Sequence, residues 1–190
     1  MKHLNAVISL VGIFSAFLVF TLHPASAGSD RILTSTGLGP VRIGMTVPQA
    51  EKALGKKLKP LDTTDGISSE SCWPTSSADG IDDWLVYVIE NGKIVHVEVQ
   101  DARPGKIPTI IPSVKTEKGI GIGSSKEQIR KQYGSSLKVH DPDEDSDGEY
   151  MMILDDDKLH GIFFEIEEDK LKGFYAATAE SIMESADCSE

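Results

Sequence analysis

One nineteen-residue segment of this chain occurs twice. Val41-Arg-Ile-Gly-Met-Thr-Val-Pro-Gln-Ala-Glu-Lys-Ala-Leu-Gly-Lys-Lys-Leu-Lys59 returns 79 positions later (120 − 41) as Ile120-Gly-Ile-Gly-Ser-Ser-Lys-Glu-Gln-Ile-Arg-Lys-Gln-Tyr-Gly-Ser-Ser-Leu-Lys138. Seven aligned positions are identical: Ile43/Ile122, Gly44/Gly123, Gln49/Gln128, Lys52/Lys131, Gly55/Gly134, Leu58/Leu137 and Lys59/Lys138. Duplication restricts the fold, because each copy must solve the same packing problem. A feature present in both copies is scaffold before it is active site.

The duplicated letters carry duplicated physics. Thr46 is a good helix N-cap, and Gln49 three residues on completes a capping box. Pro48 falls in the first turn, where its missing N–H costs nothing. Ala50, Ala53 and Leu54 supply an apolar face, and Gly55 is placed for a left-handed C-cap. Ser125 and Gln128 repeat the box, Ile129 and Tyr133 the face, and Gly134 the stop. Helices of about ten residues do not persist alone in water, so both must dock on a sheet.

Strands follow in each half. Trp84 to Glu90 and Lys93 to Gln100 flank Asn91-Gly92, a strong hairpin signal. Leu159 to Glu167 and Leu171 to Ala177 flank Glu168-Asp169, aligned at an offset of 77 (166 − 89). Alternation puts Leu85, Tyr87 and Ile89 toward the core, and likewise Ile162, Phe164 and Ile166. Glu149 to Leu154 adds a strand to the second unit. Its counterpart around Cys72-Trp73 is interrupted by Pro74. Residues 101–118 read as a linker. The predicted fold is α+β: two tandem repeats, residues 28–110 and 111–190, each a short capped helix packed on an antiparallel β-meander.

The first 27 residues read as a signal peptide. Lys2 provides the positive start, Leu4 to Leu22 is mostly apolar, and Ala25-Ser26-Ala27 is a small-x-small cleavage site. The competing reading is an uncleaved anchor, since the run approaches the ~18 to 20 residues that span a bilayer. His23, Pro24 and the triplet favour cleavage, which leaves a mature chain starting at Gly28 in the periplasm or outside the cell. In that oxidising setting the two cysteines, Cys72 and Cys188, favour a disulfide; free thiols are the alternative. Two distant cysteines lack the paired spacing of a zinc site.

Charge is uneven. Residues 28–140 carry 15 Lys/Arg against 13 Asp/Glu, a net of +2, whereas residues 141–190 carry 3 against 17, a net of −14. Such acidity argues against nucleic acid or an anionic membrane surface. It permits cations, basic proteins or plain solubility.

Gly37-Leu-Gly-Pro-Val-Arg-Ile-Gly-Met-Thr46 with Leu54-Gly55, then Gly119-Ile-Gly-Ile-Gly-Ser-Ser125 with Tyr133-Gly134, resembles the openings of paired domains in exported bacterial proteins. The Gly-Met-Thr helix followed by a meander is similar to the tandem unit of β-lactamase inhibitory protein. It is also similar to the small lipoprotein of the outer-membrane barrel-assembly machinery, although the lipoprotein cysteine is missing here. The resemblance covers most of residues 37–177 and implies a fold; no contact residue is carried over from it.

Candidate chemistry is sparse. Asp143-Glu-Asp-Ser-Asp-Gly-Glu149 begins like a calcium loop, with Asp143, Asp145, Asp147 and Glu149 as candidate metal ligands and Gly148 for the bend. The twelfth position is Leu154 rather than a bidentate glutamate; Asp155 to Asp157 would substitute only if the chain folds back. A solvated acidic loop is the plainer reading. Gly119-x-Gly-x-Gly123 lacks the spacing of a dinucleotide turn or a P-loop. His96, His140 and His160 have no metal spacing and no evident nucleophile beside them. Trp73 and Trp84 are candidates for an exposed binding surface, against a core or half-buried role in the sheet. Together these features predict an exported, non-enzymatic protein-binding module, with no nucleic-acid partner, no membrane span after cleavage and no cofactor. The alternative is an envelope protein that binds calcium or another cation through residues 143–149.

Overall fold

The computed structural model describes residues 31–61, 72–77, 85–100, 113–140 and 148–183. Among them the chain is mixed α+β and mostly sheet. Strands β1 (Ile32–Thr34), β2 (Gly37–Leu38) and β3 (Val41–Arg42) lead into helix α1 (Val47–Leu54). Strands β4 (Leu58–Pro60), β5 (Cys72–Ser77), β6 (Leu85–Glu90) and β7 (Lys93–Gln100) follow. The second half runs β8 (Lys115–Thr116), α2 (Lys126–Tyr133), β9 (Lys138–His140), β10 (Glu149–Leu154), β11 (His160–Glu167), β12 (Lys170–Thr178) and α3 (Ala179–Met183).

One eight-stranded antiparallel sheet carries the molecule, in the order β4-β5-β6-β7-β12-β11-β10-β9. Its centre is the β7–β12 pair, in register from Gly173 opposite Gln100 to Ala177 opposite His96. The two halves of the chain therefore share one sheet. A smaller sheet, β3-β2-β1-β8, joins them a second time through the parallel β1–β8 pair. Sequence alternation does not reveal this small sheet, because pieces of two or three residues are too short to show a period. A glycine is required at Gly37 within it, since a Cβ there would overlap the Val41 carbonyl oxygen.

Helices α1 and α2 are capped as predicted. Thr46 N donates to Gln49 Oε1 at 2.9 Å, and Ser125 N donates to Gln128 Oε1 at 2.7 Å. Each spans eight residues and is stapled to the last strand of its hairpin. Gly44 N donates to Ile94 O and Ile94 N to Met45 O; Gly123 N donates to Leu171 O and Leu171 N to Ser124 O. The hairpin turns also correspond, with positive φ at Asn91 and Gly92 and at Glu168 and Asp169. Register breaks between Val88 and Ile89 and between Glu165 and Ile166, two irregularities 77 residues apart.

The core lies between the large sheet and the layer of helices and small sheet. Leu85, Tyr87 and Ile89 join Ile162, Phe164 and Ile166 there, as alternation predicts, with Leu33, Val41, Ala50, Ile129 and Tyr133 from the covering layer. Phe164 and Phe174 are fully buried, each a contribution of about 1.5 to 3 kcal/mol. Pro74 does not interrupt β5. Leu61 N donates to Pro74 O, so the missing N–H points to the side where short β4 has ended at Pro60. The β5–β6 ladder therefore loses no bond to the proline.

Candidate functional site

The second face of the large sheet is also largely buried. Val86 and Val88 on β6, Tyr175 and Ala177 on β12, and Phe163 on β11 are all buried there. Tyr150, Met152 and Leu154 on β10 pack beside them, partly exposed. Four rings form one row across four strands. Tyr150 lies 5.3 Å from Phe163, Phe163 lies 4.8 Å from Tyr175, and Tyr175 lies 4.1 Å from His96 of β7, centroid to centroid. Such ring pairs each add roughly 0.5 to 1.5 kcal/mol beyond area burial.

Two carboxylates interrupt this apolar surface. Glu98 is opposite Tyr175, and Glu165 is opposite Gly173. The Glu98 side chain is 14% exposed and lies 3.9 Å from His96 Nε2, while Gln100 Nε2 donates to its Oε1. Burial, then repulsion from Glu165, pushes the Glu98 carboxyl up to about 7, against the opposing Gln100 bond. Burial, then Glu167, pushes Glu165 up as well. A Cβ at Gly173 would lie 2.5 Å from Glu165 Oε2, so glycine is what lets that carboxylate lie across β12. Sequence reading missed this cluster. The available signal was in β6, where Leu85 to Ile89 is apolar at every position, a pattern of strands covered on both faces.

The predicted site residues fall elsewhere. Asp143, Asp145, Asp147, Trp84 and Cys188 lie outside the described residues. Glu149 opens β10, and its carboxylate takes Lys126 Nζ on one oxygen and Arg130 at 3.1 Å on the other. It ties α2 to the sheet. Trp73 is partly buried against the main core on the helix side, so it supports the sheet more than it faces outward. Cys72 begins β5, opposite Glu90.

A second polar group sits in the β10–β11 turn. Ligand atoms of Asp155, Asp157 and His160 all lie within 4.8 Å of one another. His160 Nδ1 is inaccessible to solvent and has no hydrogen-bond partner among the described residues, with Asp157 Oδ2 at 4.0 Å. Ser35 Oγ donates to Asp155 Oδ2 at 2.6 Å, and Leu159 N to Asp157 Oδ1 at 2.8 Å. An open cleft of about 540 Å³ runs from these acids past Ser35, Lys118, Ile153 and Tyr133. Tyr133 donates to Thr116 Oγ1 at 2.8 Å, and burial raises its hydroxyl pKa.

No helix among the described residues is long and apolar enough to cross a membrane. Comparisons with protein-family models, curated proteins and solved structures give no match.

Proposed function

We propose that the chain is an exported, non-enzymatic protein-binding module of the bacterial cell envelope or extracellular space. The partly exposed Tyr150, Met152 and Leu154, backed by the buried rings of Phe163, Tyr175 and His96, carry this reading, because an aromatic ring held rigid from behind gives contact area at low entropic cost. Immobilised protein should retain a partner from envelope extract, and Tyr150→Ala with Met152→Ala should lose it while remaining folded. Retention of nothing specific, or equal retention by the double variant, would count against the idea. The chain recovered from the envelope should also lack residues 1–27 by mass.

The architecture is best read as two tandem helix-plus-meander repeats, akin to the exported proteins the opening motifs resemble. The matched helix staples, the hairpin turns and the two register breaks 77 residues apart favour it. A disulfide between Cys72 and Cys188 would then tie the chain's end to the first unit.

The second reading is cation binding. Its specific support is the Asp155, Asp157 and His160 group rather than residues 143–149. A divalent ion bound there only in the folded state must raise the melting temperature. Unchanged melting with saturating Ca²⁺ or Zn²⁺ would remove this alternative.

A further inference from the structure

The β10–β11 turn gathers Asp155, Asp157 and His160, whose ligand atoms all lie within 4.8 Å of one another. His160 Nδ1 is the atom that singles this group out. It is shut off from solvent without a hydrogen-bond partner among the described residues, and Asp157 Oδ2 at 4.0 Å is too far to serve. Neither imidazole tautomer removes the deficit: with a proton Nδ1 lacks an acceptor, and without one its lone pair lacks a donor. A cation at that nitrogen would satisfy the lone pair and offset the two negative charges beside it. Both carboxylates are already oriented, Asp155 by Ser35 Oγ at 2.6 Å and Asp157 by the Leu159 amide at 2.8 Å.

We propose that this turn binds one divalent ion of the zinc class, with His160 Nδ1 and one oxygen each of Asp155 and Asp157 as ligands. The inference rests on the cation-binding reading and names the metal and the ligand atoms. An imidazole nitrogen with two carboxylates suits zinc, cobalt or nickel, whereas calcium takes about six to eight oxygens. Tetrahedral zinc, with bonds of about 2.1 Å, holds its ligand atoms about 3.4 Å apart, so the three must draw in by roughly 1 Å. The Asp157 side chain is 53% exposed and can turn inward without disturbing the core. The cleft beside Asp155 and Asp157 leaves room for water or an anionic ligand at the fourth position.

The test uses the whole, untagged protein without reductant, so that free thiols do not compete for metal. Zinc titrated at neutral pH should bind saturably and raise the melting temperature. It should also move the Nδ1 resonance of His160, assigned by its loss in His160→Gln, and leave Nε2 protonated. Affinity should fall roughly tenfold or more in His160→Gln and in Asp157→Asn. Asp157→Asn alters an exposed side chain and keeps its shape, so it tests the site even if His160→Gln fails to fold. Zinc affinity unaltered in either folded variant, ligation through Nε2, or no saturable zinc binding would each overturn the proposal. Calcium bound in place of zinc, and lost in Asp157→Asn, would overturn it and leave the cation-binding reading standing; binding of neither ion removes both.

Discussion

Replacing Glu98 by glutamine should make the protein more stable, and by an amount that grows with pH. An unfolded glutamate releases its proton near 4.5, whereas folded Glu98 holds its proton up to about 7. Between those values the native state binds a proton that the unfolded chain has lost, so stability falls as pH rises. The stabilisation from the raised group is complete below 4.5 and gone above 7. Over about 2.5 pH units, at roughly 1.36 kcal/mol each, wild type loses about 3 kcal/mol. Glutamine keeps the shape and an oxygen for the Gln100 amide without the charge. Glu98→Gln should therefore match wild type near pH 4.5 and exceed it by about 3 kcal/mol at pH 8. For a chain of this size that is roughly 6 to 12 °C in Tm. Urea unfolding of both proteins at pH 5, 6, 7 and 8 measures the difference, in which groups titrating alike in both proteins largely cancel. A difference that stays flat across this range, or a wild type that is the more stable at pH 8, would refute the reasoning.

Three further outcomes are expected. Ser125→Ala and Thr46→Ala each remove an N-cap side chain and should cost about 1 kcal/mol apiece in chemical denaturation, with similar effects in both copies; a large effect in one copy alone would tell against equivalent units. Asp169→Gly relieves a positive φ of 60° in the β11–β12 turn and should raise stability by about 0.5 to 1 kcal/mol, read as a higher urea midpoint. If Cys72 and Cys188 are joined, dithiothreitol should lower stability by up to about 4 to 5 kcal/mol, the loop-entropy value for so long a closure, and a melting curve unaltered by reduction would argue against the bond.

Much of the scaffold was legible because it is local. The capping boxes at Thr46 and Ser125 need only residues three apart, and both form. Hairpin turns at Asn91-Gly92 and Glu168-Asp169 follow from adjacent letters, and alternation placed Tyr87 and Phe164 in the core. Pro74 misled because its effect depends on which neighbour lies on the N–H side, a fact of pairing rather than of composition. The candidate site was illegible for the same reason. Glu98 and Glu165 are 67 residues apart (165 − 98), and each looks like an ordinary outward acid in an alternating strand. Glu149 was read as a metal ligand from its neighbours in sequence, but α2 brings Lys126 and Arg130 to it.

What the letters alone determine here is periodic and short in range: where helices start and stop, where strands turn back, and which parity of each strand is apolar. Tertiary structure decided what the opposite parity meets. Pairing β7 with β12 set His96 beside Tyr175 and brought Glu98 and Glu165 to either side of β12. Burial and mutual repulsion, which raise a carboxyl pKa, depend on distances through space that no spacing along the chain encodes.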